Sequence, residues 1–126
     1  MKALKIGIIM LLVVAILISC GIFFLYNFTT DFNSVLYEAQ KLYNAGSYEE
    51  AKQKIEFLTS FLDKYHNFLC VMLDHREVTD AQVSLSKLLV FSVSDEAEYF
   101  NAECSSLMLR VENMYSSEKL NLANIF

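Results

Sequence analysis

The chain has 126 residues, of which 55% are apolar and 20% are charged, and its formal net charge is −5. This length allows one small domain, and three cysteines are too few for a disulfide-dense secreted scaffold. The apolar excess lies at one end: 19 of the 23 residues from Ile6 to Phe28 are apolar, whereas residues 29–126 are 48% apolar. The second value is ordinary for a globular domain, so the composition excludes both a disordered chain and a fully soluble protein.

The charges divide the chain at the same place. All 15 acidic residues lie at or after Asp31, and Lys2 and Lys5 are the only charged residues before it. Residues 29–126 therefore carry a formal charge of −7. A surface of that sign repels nucleic-acid phosphates, so we predict that the protein does not bind nucleic acid.

An uncharged segment of 21 residues, from Ile6 to Tyr26, is predicted to cross a lipid bilayer once. About 20 helical residues are needed to cross a hydrocarbon core of about 30 Å. Because two lysines precede the segment, the positive-inside rule predicts a cytoplasmic N terminus and an extracytoplasmic domain. We therefore divide the chain into residues 1–28, the cytoplasmic stub and membrane anchor, and residues 29–126, the domain.

Cys20 allows a second interpretation of this segment. The sequence Leu17-Ile18-Ser19-Cys20 resembles a bacterial lipobox, in which cleavage precedes a lipidated cysteine. The residues after Cys20 are apolar, however, whereas the tether of a lipoprotein is polar. We favour an uncleaved span, and both interpretations place the domain on the outer face of a cytoplasmic membrane.

The domain is predicted to be all-α. One glycine and no proline follow Thr29, which leaves few turn residues for a sheet of short strands. Apolar residues recur at alternating steps of three and four, as in helices that pack side by side. These positions are Phe32, Val35, Ala39 and Leu42; Tyr48, Ala51, Ile55, Leu58, Leu62, Tyr65, Leu69 and Met72; Val78, Ala81, Leu85 and Leu88; and Ala97, Phe100, Cys104, Leu107, Val111 and Met114. The sequence predicts a transmembrane helix followed by an antiparallel up-down bundle of three to four helices.

The breaks between the predicted helices give some geometry. Gly46 is suited to a left-handed C-cap, residues 47–50 form a capping box, and the next helix is predicted from Ser47 to Leu73. That helix is about 40 Å long, whereas about 30 Å of the first helix projects from the membrane. We therefore expect residues 74–77 to return to the membrane surface, with a bend in the first helix near Gly21 or residues 27–30.

The chain resembles a known family over nearly its whole length. The features that carry the resemblance are the short basic N terminus, the single span, the Gly-x-Tyr-Glu-Glu-Ala hairpin start at residues 46–51, and three further segments. These are residues 73–78 (Leu-Asp-His-Arg-Glu-Val), residues 84–88 (Ser-Leu-Ser-Lys-Leu) and the tail at residues 120–126. In these features the chain is similar to domain-of-unknown-function family 4363. The resemblance implies a small helical protein anchored in a bacterial cell membrane, mainly of Firmicutes, and implies no particular activity.

The residues between the second and third predicted helices are candidates for function. We interpret them as a structural or interaction junction, in which Asp74 caps the turn while His75 and Glu77 reach across to Lys87, Arg76 or backbone groups. The C-terminal tail is expected to lie near the same membrane surface and is a second candidate contact. Its residues are Asn121, Leu122, Asn124, Ile125 and Phe126.

The alternative interpretation of the junction is a metal or proton site. His66, Cys70 and Asp74 recur at i, i+4 and i+8 along one face of a predicted helix, and His75 is adjacent. Two ligands four residues apart suit Zn²⁺, but the sequence contains no closed Cys/His set, so we predict neither a metal site nor a cofactor. Cys70 and Cys104 are expected to be small core residues, with a disulfide between them as the alternative.

The sequence offers little for catalysis. It contains no Gly-rich loop, no nucleophile elbow and no pair of acids suited to general acid–base work, so we do not expect an enzyme. We predict a non-catalytic membrane-anchored module that binds another membrane or envelope protein. The alternatives are a lipoprotein lipidated at Cys20 with the same role, and a metal-binding or sensing domain that uses residues 74–77.

Overall fold

The computed structural model describes residues 1–125, and the side chains of residues 1–117. The chain is 91% helical, with five helices and no strand within the described part. The helices are α1 (Lys2–Asn44), α2 (Tyr48–Lys64), α3 (His66–Met72), α4 (His75–Ser92) and α5 (Ala97–Ile125). The all-α prediction is confirmed. Phe126 and the side chains of the predicted tail contact lie outside the described residues, so that contact stays a prediction.

α1 is one continuous helix of 43 residues. Among the described residues it is the one helix that is long and apolar enough to cross a membrane. Nearly all of its side chains are exposed as far as Cys20, and Gly21 is its first buried residue. The helix continues through Gly21 and residues 27–30 without a break, so the apolar segment and the first helix of the packed region are one helix, and the expected bend does not interrupt it.

The turn between α1 and α2 is stabilised by capping interactions at the C-terminal end of α1. Gly46 has a φ of +88°, the left-handed conformation predicted for the C-cap. The Ser47 N–H donates to the Leu42 carbonyl oxygen at 2.9 Å, which satisfies a carbonyl that the helix end leaves free. The Ser47 side chain makes no capping hydrogen bond, so the predicted capping box is wrong. The Ser47 backbone has φ −85° and ψ 66°, and its N–H takes part in the turn.

The helix predicted from Ser47 to Leu73 is interrupted at Tyr65, so this prediction is wrong. Tyr65 has φ −102° and ψ 12°, and α2 ends before it while α3 begins after it. Its ring packs edge-on against those of Phe24, Phe28 and Phe61, with centroid separations of 5.2, 5.9 and 5.3 Å. These aromatic contacts, two of them with α1, hold Tyr65 where the helix breaks.

The core lies among the four long helices. α1 contacts α2 and α5, α4 also contacts α2 and α5, and α3 contacts α2 and α4. The predicted apolar positions that are buried in α2, α4 and α5 are Ala51, Ile55, Leu58 and Leu62; Val78, Ala81, Leu85 and Leu88; and Phe100, Cys104, Leu107, Val111 and Met114. On α1 the buried positions differ from two of the predicted ones. Leu36 and Tyr43 are buried, whereas the predicted Val35 and Leu42, one residue earlier in each case, are half-buried.

The contacts between α1 and α5 show that the two helices run in opposite directions, because residues late in α1 contact residues early in α5. The rings of Tyr26 and Tyr115 have centroids 5.2 Å apart. Gln40 Nε2 donates to Asn101 Oδ1 at 3.0 Å. α5 therefore returns along α1 toward the apolar segment from which the domain emerges.

Candidate metal centre

Leu73 and Asp74 join α3 to α4. Leu73 is buried and extended, with φ −121° and ψ 165°, so the chain changes direction there. Asp74 is the N-cap of α4, and its Oδ1 accepts the Arg76 N–H at 3.0 Å. This reversal brings His75, the first residue of α4, back beside Cys70 on α3.

The reversal assembles both histidines of the chain and one of its three cysteines. His66 and Cys70 lie one turn apart on α3. Cys70 Sγ is 3.6 Å from His66 Nε2 and 3.4 Å from His75 Nδ1. The three ligand atoms all lie within 4.8 Å of one another, so two helices supply one convergent set of soft and borderline ligands.

These separations fit a tetrahedral transition-metal ion. With Zn–S bonds of about 2.3 Å and Zn–N bonds of about 2.1 Å, a tetrahedral ion holds its sulfur and nitrogen ligands about 3.6 Å apart and two nitrogen ligands about 3.4 Å apart. Both sulfur–nitrogen pairs are already near that separation. The two imidazole nitrogens have to approach by at most about 1.4 Å, which the exposed side chain of His75 can provide by rotating.

Gln82 of α4 orients the imidazole of His66. Its Nε2 lies 3.4 Å from His66 Nδ1 and donates to Asp63 Oδ1 at 3.2 Å. An ion on Nε2 of His66 would require the proton on Nδ1, and the Gln82 amide would then have to present its oxygen to Nδ1–H in place of the nitrogen that now lies there. The Asp63 carboxylate adds negative charge near the site, which favours a cation.

The cluster opens to solvent. His66 and Cys70 are half-buried and His75 is exposed. Three protein ligands leave the fourth tetrahedral position to water or another ligand, unlike the closed four-ligand sites that only stabilise a fold. The arrangement can therefore bind and release an ion without local unfolding.

Two residues predicted for the junction lie apart from this cluster. The predicted alignment of Asp74 with His66 and Cys70 is wrong, because α3 ends at Met72 and the Asp74 carboxylate caps α4 instead. Lys87 is twelve residues after His75 on the continuous helix α4, about 18 Å along its axis. The expected contact between His75 and Lys87 is therefore not formed. Glu77 is half-buried in the first turn of α4.

The predicted alternative of a disulfide between Cys70 and Cys104 is wrong, since all three cysteines are free thiols. Cys104 is fully buried on the core face of α5. Burial, with a smaller contribution from Glu103, raises the pKa of the Cys104 thiol to about 12, so this thiol is neutral and unreactive in the native state. Cys20 is exposed on α1, where the structure leaves lipidation a prediction.

The sequence analysis did not identify Gln82 or Asp63 as part of the site. Gln82 is 16 residues from His66 in the chain, and no spacing rule links an amide on one helix to an imidazole on another. Only the reversal at Leu73 brings them together.

Neither a curated protein nor a solved structure matches this chain. A family model described as a domain of unknown function, DUF4363, matches residues 20–125. The matched region begins at the last exposed turn of the apolar segment and includes α2, α3, α4 and the junction between α3 and α4. The resemblance found in the sequence is confirmed, and the chain belongs to the DUF4363 family.

Proposed function

We propose that this chain is a single-pass membrane protein whose helical domain binds a transition-metal ion, Zn²⁺ or one of similar chemistry, at His66, Cys70 and His75. The observation that carries the proposal is the convergence of three ligand atoms at separations that a tetrahedral ion requires. Imidazole and thiolate select ions of this type over Mg²⁺ and Ca²⁺, which prefer oxygen ligands.

The proposed topology follows from the anchor. Lys2 and Lys5 precede the apolar segment and the acidic residues all follow it, which supports a cytoplasmic N terminus and a domain outside the cytoplasm of a bacterial cell. The contacts of α1 with α2 and α5, and of α4 with the same two helices, support an antiparallel bundle. In this arrangement the metal site faces the extracytoplasmic side.

We assign the site a sensing role without catalysis. An ion held by His66, Cys70 and His75 adds bonds between α3 and the first residue of α4, where Cys70 Sγ already lies 3.4 Å from His75 Nδ1. Ion binding therefore changes how strongly α3 is attached to α4. The open coordination position allows the ion to exchange with solvent.

The test is metal binding by the full-length protein purified in mild detergent without a histidine tag. We expect one Zn²⁺ per chain, and with Co²⁺ a sulfur-to-metal charge-transfer absorption band. Cys70→Ser should abolish that band, whereas Cys104→Ser, which changes a thiol elsewhere in the domain, should keep it. His66→Ala and His75→Ala should each weaken binding by at least about tenfold.

Asp74→Asn is the matched control at the junction, because asparagine also caps helices. We expect this variant to bind the ion as the natural protein does. A stoichiometry far below one ion per chain, or a band that survives Cys70→Ser, contradicts the proposed site.

A second function, binding of another membrane protein, is favoured by a cleft beside the anchor. Ser19, Ile22, Phe23, Tyr26 and Tyr115 line this cleft of about 410 Å³ between α1 and α5. Its walls are mainly apolar and continue the exposed surface of the anchor, so the occupant they suit is an apolar transmembrane helix.

This interaction is tested with a photo-crosslinking residue at Tyr26, compared with the same residue at Tyr99, which is similarly exposed at the start of α5. We expect membrane-dependent adducts with one defined membrane protein from position 26 and none from position 99. Equal adducts from both positions, or none, contradict the interaction. An adduct of twice the mass of the chain identifies a second copy as the occupant and also contradicts it.

A further inference from the structure

α3 descends along the end of the apolar segment of α1. The ring centroids of Phe24 and Phe68 are 4.6 Å apart. One turn further, a Cβ on Gly21 would lie 2.9 Å from Met72 Cε. Residues late in α3 thus contact residues early in the domain part of α1, so the C-terminal end of α3 lies beside the outer end of the apolar segment.

The exposed part of the apolar segment is shorter than a bilayer. Residues 6–20 carry no charge and are nearly all exposed, and burial begins at Gly21. Fifteen helical residues span about 22 Å, less than the hydrocarbon thickness of about 30 Å. The uncharged segment reaches that thickness only if it continues toward Tyr26, so the outer boundary of the hydrocarbon core lies at or beyond the level of Gly21, which is also the level of the reversal between α3 and α4.

Exposed apolar side chains lie at this level. Val71 is 84% exposed and Phe68 is 40% exposed, and these residues are three apart on α3 and share one face. Phe23 on α1 is 68% exposed. α3 carries no Asp, Glu, Lys or Arg, although the domain around it is strongly acidic. Beyond α3, exposed Arg76 provides a cation of the kind that binds lipid phosphates.

We propose that the tip formed by α3 and the first residues of α4 contacts the outer leaflet of the bilayer, with Val71 and Phe68 among the upper acyl segments and Arg76 among the phosphates. The occupant is lipid, because the apolar patch is continuous with the anchor and the charges of Asp74 and Arg76 limit how deeply the tip enters. This inference rests on the membrane crossing of α1 and is independent of metal binding.

The position of the tip also locates the metal site. At about 100° per residue, His66 and Cys70 lie on nearly the opposite face of α3 from Phe68 and Val71. The ion-binding face therefore looks toward α4, while the other face contacts lipid. The ion is taken up from the water layer directly above the headgroups.

The test uses tryptophan, which the natural chain lacks. Val71→Trp is compared with Val93→Trp, since both valines are exposed and Val93 follows the far end of α4. The full-length variants are placed in phosphatidylcholine vesicles whose acyl chains carry bromine, a quencher within the bilayer. We expect most of the Val71→Trp emission to be lost and to be shielded from aqueous acrylamide, and the reverse for Val93→Trp.

Phe23→Trp reports on the anchor itself. If Phe23→Trp is quenched by brominated lipid and Val71→Trp is not, the lipid contact of the tip is overturned while the membrane crossing stands. If neither is quenched, the crossing fails as well. Emission from Val71→Trp that is shielded from acrylamide but not quenched by bromine means that protein covers the tip, which also overturns the proposal. Zinc binding by the same variants in detergent is a separate measurement and is expected to be unchanged.

Discussion

Gly21 sets how closely α3 approaches the anchor, and replacing it tests that contact directly. A Cβ at this position would lie 2.9 Å from Met72 Cε and 3.2 Å from Met72 Sδ. In Gly21→Ala, the flexible thioether can move by the few tenths of an ångström required. The gain in helix propensity, up to about 1 kcal/mol, offsets that cost, so we expect alanine to be nearly neutral.

Gly21→Leu places three further carbons in space that Met72 occupies. Overpacking of this kind costs about 1–3 kcal/mol. The matched control is Gly7→Leu on the same helix, because within the described residues nothing lies within 4 Å of a Cβ at position 7. This control introduces the same side chain into the apolar segment without a clash.

Cys104 serves as the reporter, because it is fully buried and reacts only when the domain opens. In a background that carries Cys20→Ser and Cys70→Ser, a brief maleimide pulse across a urea series gives the unfolding midpoint in mild detergent. With a urea dependence of about 2 kcal/mol per molar, we expect Gly21→Leu to lower the midpoint by about 0.5–1.5 M. If its midpoint equals that of Gly7→Leu, the contact between Gly21 and Met72 does not hold α3 to α1.

Three further changes have defined outcomes. Asp74→Ala removes the N-cap of α4 and should lower the unfolding free energy by about 1 kcal/mol, as measured by the same urea midpoint, whereas Asp74→Asn should retain it. Asn101→Ala removes hydrogen bonds to Gln40 and Asn44 and should cost about 1 kcal/mol in that assay, because these amides are partly exposed. The pKa of Cys104 is raised from 9.0 to about 12, so between these values the native thiol keeps a proton that the unfolded chain loses. Stability is therefore full below about pH 9 and falls as the pH rises toward 12, and Cys104→Ala should reduce that fall in urea midpoints followed by circular dichroism.

Local spacing predicted most of the helical pattern but not the break at Tyr65. The buried faces of α4 and α5 follow from steps of three and four, because each such face packs against neighbours at every turn. Tyr65 obeys the same spacing, so nothing local marks it as a helix end. Two of the three rings that Tyr65 contacts at the break, those of Phe24 and Phe28, come from about 40 residues earlier in the chain.

The candidate metal ligands were partly predictable for a similar reason. His66 and Cys70 are four residues apart, and any helix through them brings their side chains together. Whether Asp74 or His75 joins them depends on where α3 ends, which is a tertiary outcome. The sequence supported Asp74 both as a cap and as a ligand. In the structure the cap prevails, because α4 begins at the next residue and the carboxylate accepts the Arg76 N–H.

α3 is the weakest element of the domain, and both proposals depend on it. Leu69 is its one buried residue within seven, so its docking rests on few contacts and is expected to open before the core does. An ion present at a hundredfold excess over its dissociation constant stabilises the bound form by about 2.7 kcal/mol. Because the ligands join α3 to α4, that free energy acts on the docking of α3. The same helix carries the residues proposed to contact lipid, so an ion that changes the docking of α3 is expected to change the depth of the tip in the membrane, and that coupling would act equally in both directions.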